Sequence, residues 1–169
     1  MKKYLFRITL FFLFCLPIQT FAGAILVPMD ETQKNHLKAY GIAYWVLDND
    51  VVMEWLLNYR GGSFLFPQNA MIEAELKIKG VSFSILPDAK VKQIKSEIAN
   101  PEVNMEVVQL ETAPKIAVYT PSGKQPWDDA VTLVLTYAEI PYEEIYDSLV
   151  VKGGLPEFDW LHLHHEDFT

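Results

Sequence analysis

The sequence predicts an α/β protein: a doubly wound, mostly parallel sheet with helices on both faces. Three observations carry that expectation. Short apolar runs recur along the chain, and between them lie segments whose apolar residues return at helical spacing. The intervals are long enough for crossover helices, which parallel pairing needs and a tight hairpin does not. Of 169 residues, half are apolar and 13% aromatic, enough for one hydrophobic core and incompatible with a disordered or collagen-like chain.

Residues 1–22 read as an address rather than as part of that fold. Lys2, Lys3 and Arg7 flank the start of an apolar run, Ile8 to Leu16, and small residues follow at Ala22, Gly23 and Ala24. This is the three-part pattern of a secretory signal peptide. The apolar run is shorter than the roughly 20 residues a membrane span needs. Cleavage fits after Ala22 or after Ala24, and the bulky Phe12, Leu13 and Phe14 ahead of Cys15 do not suit a lipidation site. The expectation is an exported protein, periplasmic or secreted, with no membrane anchor once the leader is removed.

Removing the leader changes the charge and the cysteine count. The whole chain has 14 Lys+Arg against 22 Asp+Glu, a net of −8. Three of the cations leave with the leader, so 11 face 22 acids and the net becomes −11. Such a balance argues against a nucleic-acid partner. Cys15, the only cysteine, leaves as well. Residues 23–169 then hold no disulfide, no thiolate metal ligand and no cysteine nucleophile.

Ala24 to Pro28 reads as a buried strand, and Asp30 as the N-cap of a helix on which Leu37, Tyr40, Gly41, Tyr44 and Leu47 recur. Asp48-Asn49-Asp50 ends it, Val51 to Tyr59 is a second strand, and Arg60-Gly61-Gly62 makes a turn. A helix from about Asn69 to Lys79 is closed by Gly80, and Val81 to Leu86 is the next strand. Asp88 opens a polar helix that stops before Asn100-Pro101, and the stretch Val103 to Leu110 fits either helix or strand. Lys115 to Tyr119 is again a strand. Pro126 then opens a helix whose Ala130, Val131, Leu133, Val134 and Leu135 are apolar nearly all round, the pattern of a buried helix. Glu143 to Tyr146 and Asp159 to His164 are the last strands. Thr169 follows so closely on the last of these that the sheet is expected to be C-terminally incomplete.

The densest polar cluster is His162, His164, His165, Glu166 and Asp167. It lies at the carboxyl end of a strand, where open α/β sheets bind ligands. On a strand His162 and His164 share a face, so imidazole nitrogens plus a carboxylate suit zinc, or a histidine base oriented by an acid. The spacing does not match the two-histidine helical zinc motif. Zinc is the only cofactor that this pattern suggests. Arg60, beside two glycines and Ser63, is a further ligand candidate, since a guanidinium pairs with carboxylate or phosphate. Ser122-Gly123-Lys124 sits where a phosphate loop would, but Val118 and Gln125 stand where that motif needs glycine and a hydroxyl. Trp45, Trp55, Trp127 and Trp160 fall mostly within predicted elements and read as core.

The runs Ile25-Leu26-Val27-Pro28-Met29-Asp30 and Trp55-Leu56-Leu57-Asn58-Tyr59-Arg60-Gly61-Gly62-Ser63-Phe64, with His36 to Gly41 between them, resemble exported bacterial proteins labelled asparagine synthetase B. Pro126-Trp127-Asp128-Asp129-Ala130 and Trp160 to Phe168 are similar to the same group. From Lys115 onward the pattern also resembles the opening strands of a class I glutamine amidotransferase-like domain. That resemblance implies a flavodoxin-like fold, with residues 23–112 as an N-terminal α/β segment and 113–169 as the start of the amidotransferase-like one. The labelled reaction would need a cysteine directly after the initiator Met, where this chain has Lys2, and an ATP loop of Ser-Gly-Gly-x-Asp-Ser type. Gly61-Gly62-Ser63 has another order and no Asp after it.

Two functions are therefore expected from the residues. One is an exported module that binds a small molecule or a protein partner. The alternative is an amidotransferase- or hydrolase-type enzyme whose nucleophile lies beyond residue 169. Export is directly testable. N-terminal sequencing of the protein recovered from an expressing bacterium's periplasm or medium should begin at Gly23 or Ile25, and protein found only in the cytoplasm with residues 1–22 attached removes the signal-peptide reading.

Overall fold

In a computed structural model that describes residues 23–120 and 130–163, the apolar run after Gly23 forms β1 (Ala24–Val27), with Ile25, Leu26 and Val27 buried. α1 (His36–Asp48) follows, capped by Asn35, whose side chain accepts from the Lys38 amide at 3.1 Å. Asp30, expected as that cap, instead holds the connecting turn by accepting from the Thr32 amide at 3.1 Å. A short side-chain acceptor serves turn and cap alike, so the sequence pattern does not distinguish them. Next come β2 (Met53–Leu57), a single 3₁₀ turn, and β3 (Ser63–Pro67). α2 (Ala70–Ile78) is capped by Asn69 and β4 (Ser84–Leu86) follows. α3 (Asp88–Ile98) and β5 (Glu106–Leu110) complete this part. β6 (Ile116–Tyr119), α4 (Ala130–Ala138), β7 (Glu143–Ile145), α5 (Asp147–Val151) and β8 (Trp160–Leu163) form the rest.

The α/β class is therefore correct, but the strands divide between two sheets, and the larger one is not parallel. Its order is β4-β1-β3-β2-β5, and every neighbouring pair is antiparallel. β3 causes the difference. Residues 63–67 carry no strand assignment in the sequence reading, yet they lie between β1 and β2 and pair with both. β1 and β2, joined by α1, still run in one direction, but they do not touch as a simple strand–helix–strand unit would. The sequence β1-α1-β2-β3-α2-β4 in the order 4-1-3-2 is the split arrangement of ferredoxin-like sheets.

Alternation along the strands shows why both faces are covered. Ile25, Val27, Phe64 and Phe66 face one side, with Ile42 and Val46 of α1 and Ile72 and Leu76 of α2. Leu26, Leu56 and Leu65 face the other, against Ile94 and Ile98 of α3. With its first four residues buried, β3 reads as a short continuous apolar run rather than as an alternating one.

The second sheet has the order β7-β6-β8 and is parallel throughout. Its central strand buries Ile116, Ala117 and Val118. α4 does not fit the expectation of a helix buried all round: Thr132, Leu135 and Ala138 are buried, while Leu133 is 60% exposed. Among the described residues no helix is long and apolar enough to cross a membrane.

α1 joins the two sheets. One side packs on the larger sheet, and at Gly41 its backbone approaches the end of α4 so closely that a Cβ would overlap the Ala138 carbonyl. Glu139, in the left-handed region at φ 61°, holds the Lys38 ammonium at 2.6 Å and also pairs with Lys79 at the C-cap of α2. Asn35 donates to the Tyr137 hydroxyl at 2.8 Å, and the Tyr44 hydroxyl donates to the Pro114 carbonyl at 3.0 Å. In an exposed helix interior, Gly→Ala stabilises by about 1 kcal/mol. At Gly41 the overlap should dominate, because overpacking costs about 1–3 kcal/mol. Chemical denaturation of Gly41→Ala should show lower stability than the parent, and a gain would contradict the close approach.

Candidate functional site

The first candidate region is the turn that carries Arg60. Asn58, Arg60, Gly61 and Gly62 all have positive φ, at 59°, 48°, 81° and 93°. For Asn58 and Arg60 that conformation costs on the order of 1–2 kcal/mol each, so the surroundings must impose it. Gly61 is required for a second reason, since a Cβ there would run into the Met29 carbonyl. The turn is tied down from both sides. The Met29 amide donates to the Arg60 carbonyl at 3.0 Å, Asn58 donates to the Asn104 carbonyl at 2.7 Å, and the Trp55 indole donates to the Gly62 carbonyl at 3.0 Å.

Arg60 finds its carboxylate within the chain. Its Nε donates to Asp30 Oδ2 at 2.7 Å and its Nη2 to the Thr32 hydroxyl at 3.0 Å. The guanidinium first, and the Thr32 hydroxyl second, hold the Asp30 carboxyl down at about 2. Here the arginine clamps the β1–α1 connection onto the β2–β3 turn.

The second candidate region is the carboxyl end of β8. His162 is half-buried opposite Val118 of β6 and shares its face of the strand with Trp160. His164, His165, Glu166 and Asp167 lie outside the described residues, as do Ser122, Gly123, Lys124 and Trp127. Among the described residues no three His, Cys, Asp or Glu side chains come together as a metal site. Arg60 and His162 belong to different sheets, so the two sequence candidates do not form one site.

The third region was not singled out by sequence. Between the sheets, alongside α1, lies an open cleft of about 290 Å³. Tyr40 and Tyr44 of α1 line it, with Trp55 and Phe64 of the larger sheet and Leu135 and Trp160 from the smaller. Among the described residues no charged side chain does so. Trp55 and Phe64 are cross-strand partners with ring centroids 6.4 Å apart, and Tyr40 meets Phe64 edge-on at 5.7 Å. Trp160, expected as core, is 44% exposed. Among the described residues its strand is at the edge of its sheet. The Tyr40–Tyr44 spacing was a usable signal for one wall. The Trp55–Phe64 wall is legible only once β3 is known to be a strand.

Two carboxylates make the fold acid-sensitive. Glu139 is held down at about 2 by Lys38 and then Lys79, and Asp30 likewise by Arg60. The ordinary values are 4.5 and 3.8. The folded chain therefore binds these protons less readily than the unfolded one, and unfolding takes protons up. Their contribution is complete above about pH 5 and fades as pH falls towards 2. An Asp30→Asn/Glu139→Gln variant should show a shallower loss of stability across that window in denaturant titrations, and an unchanged slope would contradict both assignments.

No family model matches the chain, and no curated protein and no solved structure matches it, so its own residues carry the functional argument.

Proposed function

We propose that this chain is an exported α/β binding module and that its ligand sits in the cleft between the two sheets. The cleft itself carries the proposal. Small-molecule sites are concave and mostly apolar, and their lower size range is about 300 Å³. A surface void left by imperfect packing would not recruit aromatic rings from a helix and from both sheets. The leader-like residues 1–22 support the export part of the reading. A true asparagine synthetase is not supported, because its N-terminal cysteine and ATP loop have no counterpart among these residues.

One observation favours an amidotransferase- or hydrolase-type reading as the second choice. In chain order the strands of the smaller sheet are arranged 2-1-3, the order with which a flavodoxin-like sheet opens. That is in keeping with the class I glutamine amidotransferase-like resemblance of residues 113–169. Such chemistry would gather at the carboxyl ends of these strands, near Tyr119, Ile145 and Leu163.

Calorimetric titration with 2-naphthalenemethanol, a neutral bicyclic probe, tests the cleft. Binding should saturate at one equivalent with a Kd on the order of 10–100 μM, given typical affinity per heavy atom. Trp160→Ala should weaken it about tenfold or more by removing one wall. Leu161→Ala, on the opposite face of β8, should leave it unchanged. Absence of saturable binding, or equal loss in both variants, would overturn the reading.

A further inference from the structure

The walls of the cleft restrict the kind of body they can receive. Of the residues that line it, four carry an N–H or O–H on the side chain: Tyr40, Tyr44, Trp55 and Trp160. Two of these groups are spent within the chain. The Trp55 indole donates to the Gly62 carbonyl and the Tyr44 hydroxyl to the Pro114 carbonyl, both at 3.0 Å. The other two belong to Tyr40 and Trp160, which are 46% and 44% exposed and so stand where the cleft meets water. The deeper walls come from Ala43, Leu47, Met53, Phe64, Ile116 and Leu135, each at most 7% exposed.

The backbone behind those residues is paired as well. Met53 lies opposite Leu110, Phe64 between Val27 and Trp55, and Ile116 opposite Trp160. The carbonyls of Leu47 and Leu135, near the ends of their helices, accept from the amides of Asp50 and Ile140. A cleft of about 290 Å³ has room for about ten waters, each of which needs two to four polar partners. Among the described residues the deeper walls do not supply them. An apolar group releases such water at a gain. A ligand atom that needs a hydrogen bond gives up its own water there and finds no replacement.

Resting on the reading that the cleft holds a ligand, we infer that the part of the ligand inside it is a hydrocarbon body, aromatic or branched aliphatic, with no hydrogen-bonding atom, and that the ligand's polar atoms stay at the mouth beside Tyr40 and Trp160. Sugars, nucleobases and flavin-like rings carry donors and acceptors around their edges and are excluded as bodies. Selection works by rejection: a polar edge is refused because the fold has already used the groups that would receive it.

Two matched pairs of neutral probes test this by calorimetric titration at pH 7. 2-Naphthalenemethanol and 6-quinolinemethanol differ by one ring nitrogen, an acceptor. Benzothiophene-5-methanol and indole-5-methanol differ by one N–H, a donor. In each pair the polar member should bind about tenfold or more weakly. The loss should also exceed the ratio of the two probes' octanol–water partition coefficients, because octanol offers hydroxyls that these walls do not. If the two apolar members bind and either polar member loses less than its partition ratio, the walls hold a free polar partner; the hydrocarbon body is then wrong and the cleft stands. If none of the four probes binds, the cleft reading fails and takes this inference with it.

Discussion

One close approach positions everything that faces the cleft: the backbone of α1 at Gly41 against the end of α4 at Ala138. α1 packs on the larger sheet, and its most extensive helix contact is with α4, which packs on the smaller one, so its distance from α4 sets the distance between the sheets. A side chain at position 41 would hold the helices apart, and the aromatic walls would no longer face one another. Glu139 guards the same contact electrostatically. It lies directly after Ala138 and engages lysines from α1 and α2. Exposed ion pairs contribute little stability, about 0–1 kcal/mol each. The cluster therefore orients α4 more than it binds it, and the packing at Gly41 supplies the attraction.

The turn after β2 solves a different problem. β3 must enter the sheet between β1 and β2, and its entry point lies beside the start of the β1–α1 connection. Four left-handed residues make so sharp a turn, two of them without the freedom of glycine. The Asp30–Arg60 pair and the Met29–Arg60 backbone bond offset that strain by tying the turn to the connection that leaves β1, the strand that β3 pairs with. Arg60 is thus explained by the fold before any ligand is invoked.

Much of this was legible in the residues. Asn69 and Gly80 bracket α2 as their cap preferences require, and the strands of the smaller sheet fall within the stretches Lys115 to Tyr119, Glu143 to Tyr146 and Asp159 to His164 read as strands. Strand pairing was not legible. A split unit and a parallel one share the same alternation of strand and helix, and periodicity does not record which strands become neighbours. Ser63 to Pro67 follows two glycines and is only five residues long, so it reads as the tail of a turn. Missing it converts an antiparallel sheet into a parallel one. It also hides the Trp55–Phe64 pair, and with it the cleft. The exposed side of α4 escaped for another reason: an apolar composition predicts burial only where something packs, and α1 covers only one side of this helix.

The cleft's chemistry follows from how its aromatic residues spend their polar atoms. The Trp55 indole nitrogen is committed to the Gly62 carbonyl and the Tyr44 hydroxyl to that of Pro114. Both bonds serve the fold, one closing the strained turn and the other joining α1 to the start of the smaller sheet. What these two residues offer inward is ring face, which discriminates by shape and apolar area and not by charge. Any selectivity for charge must then arise where the walls end.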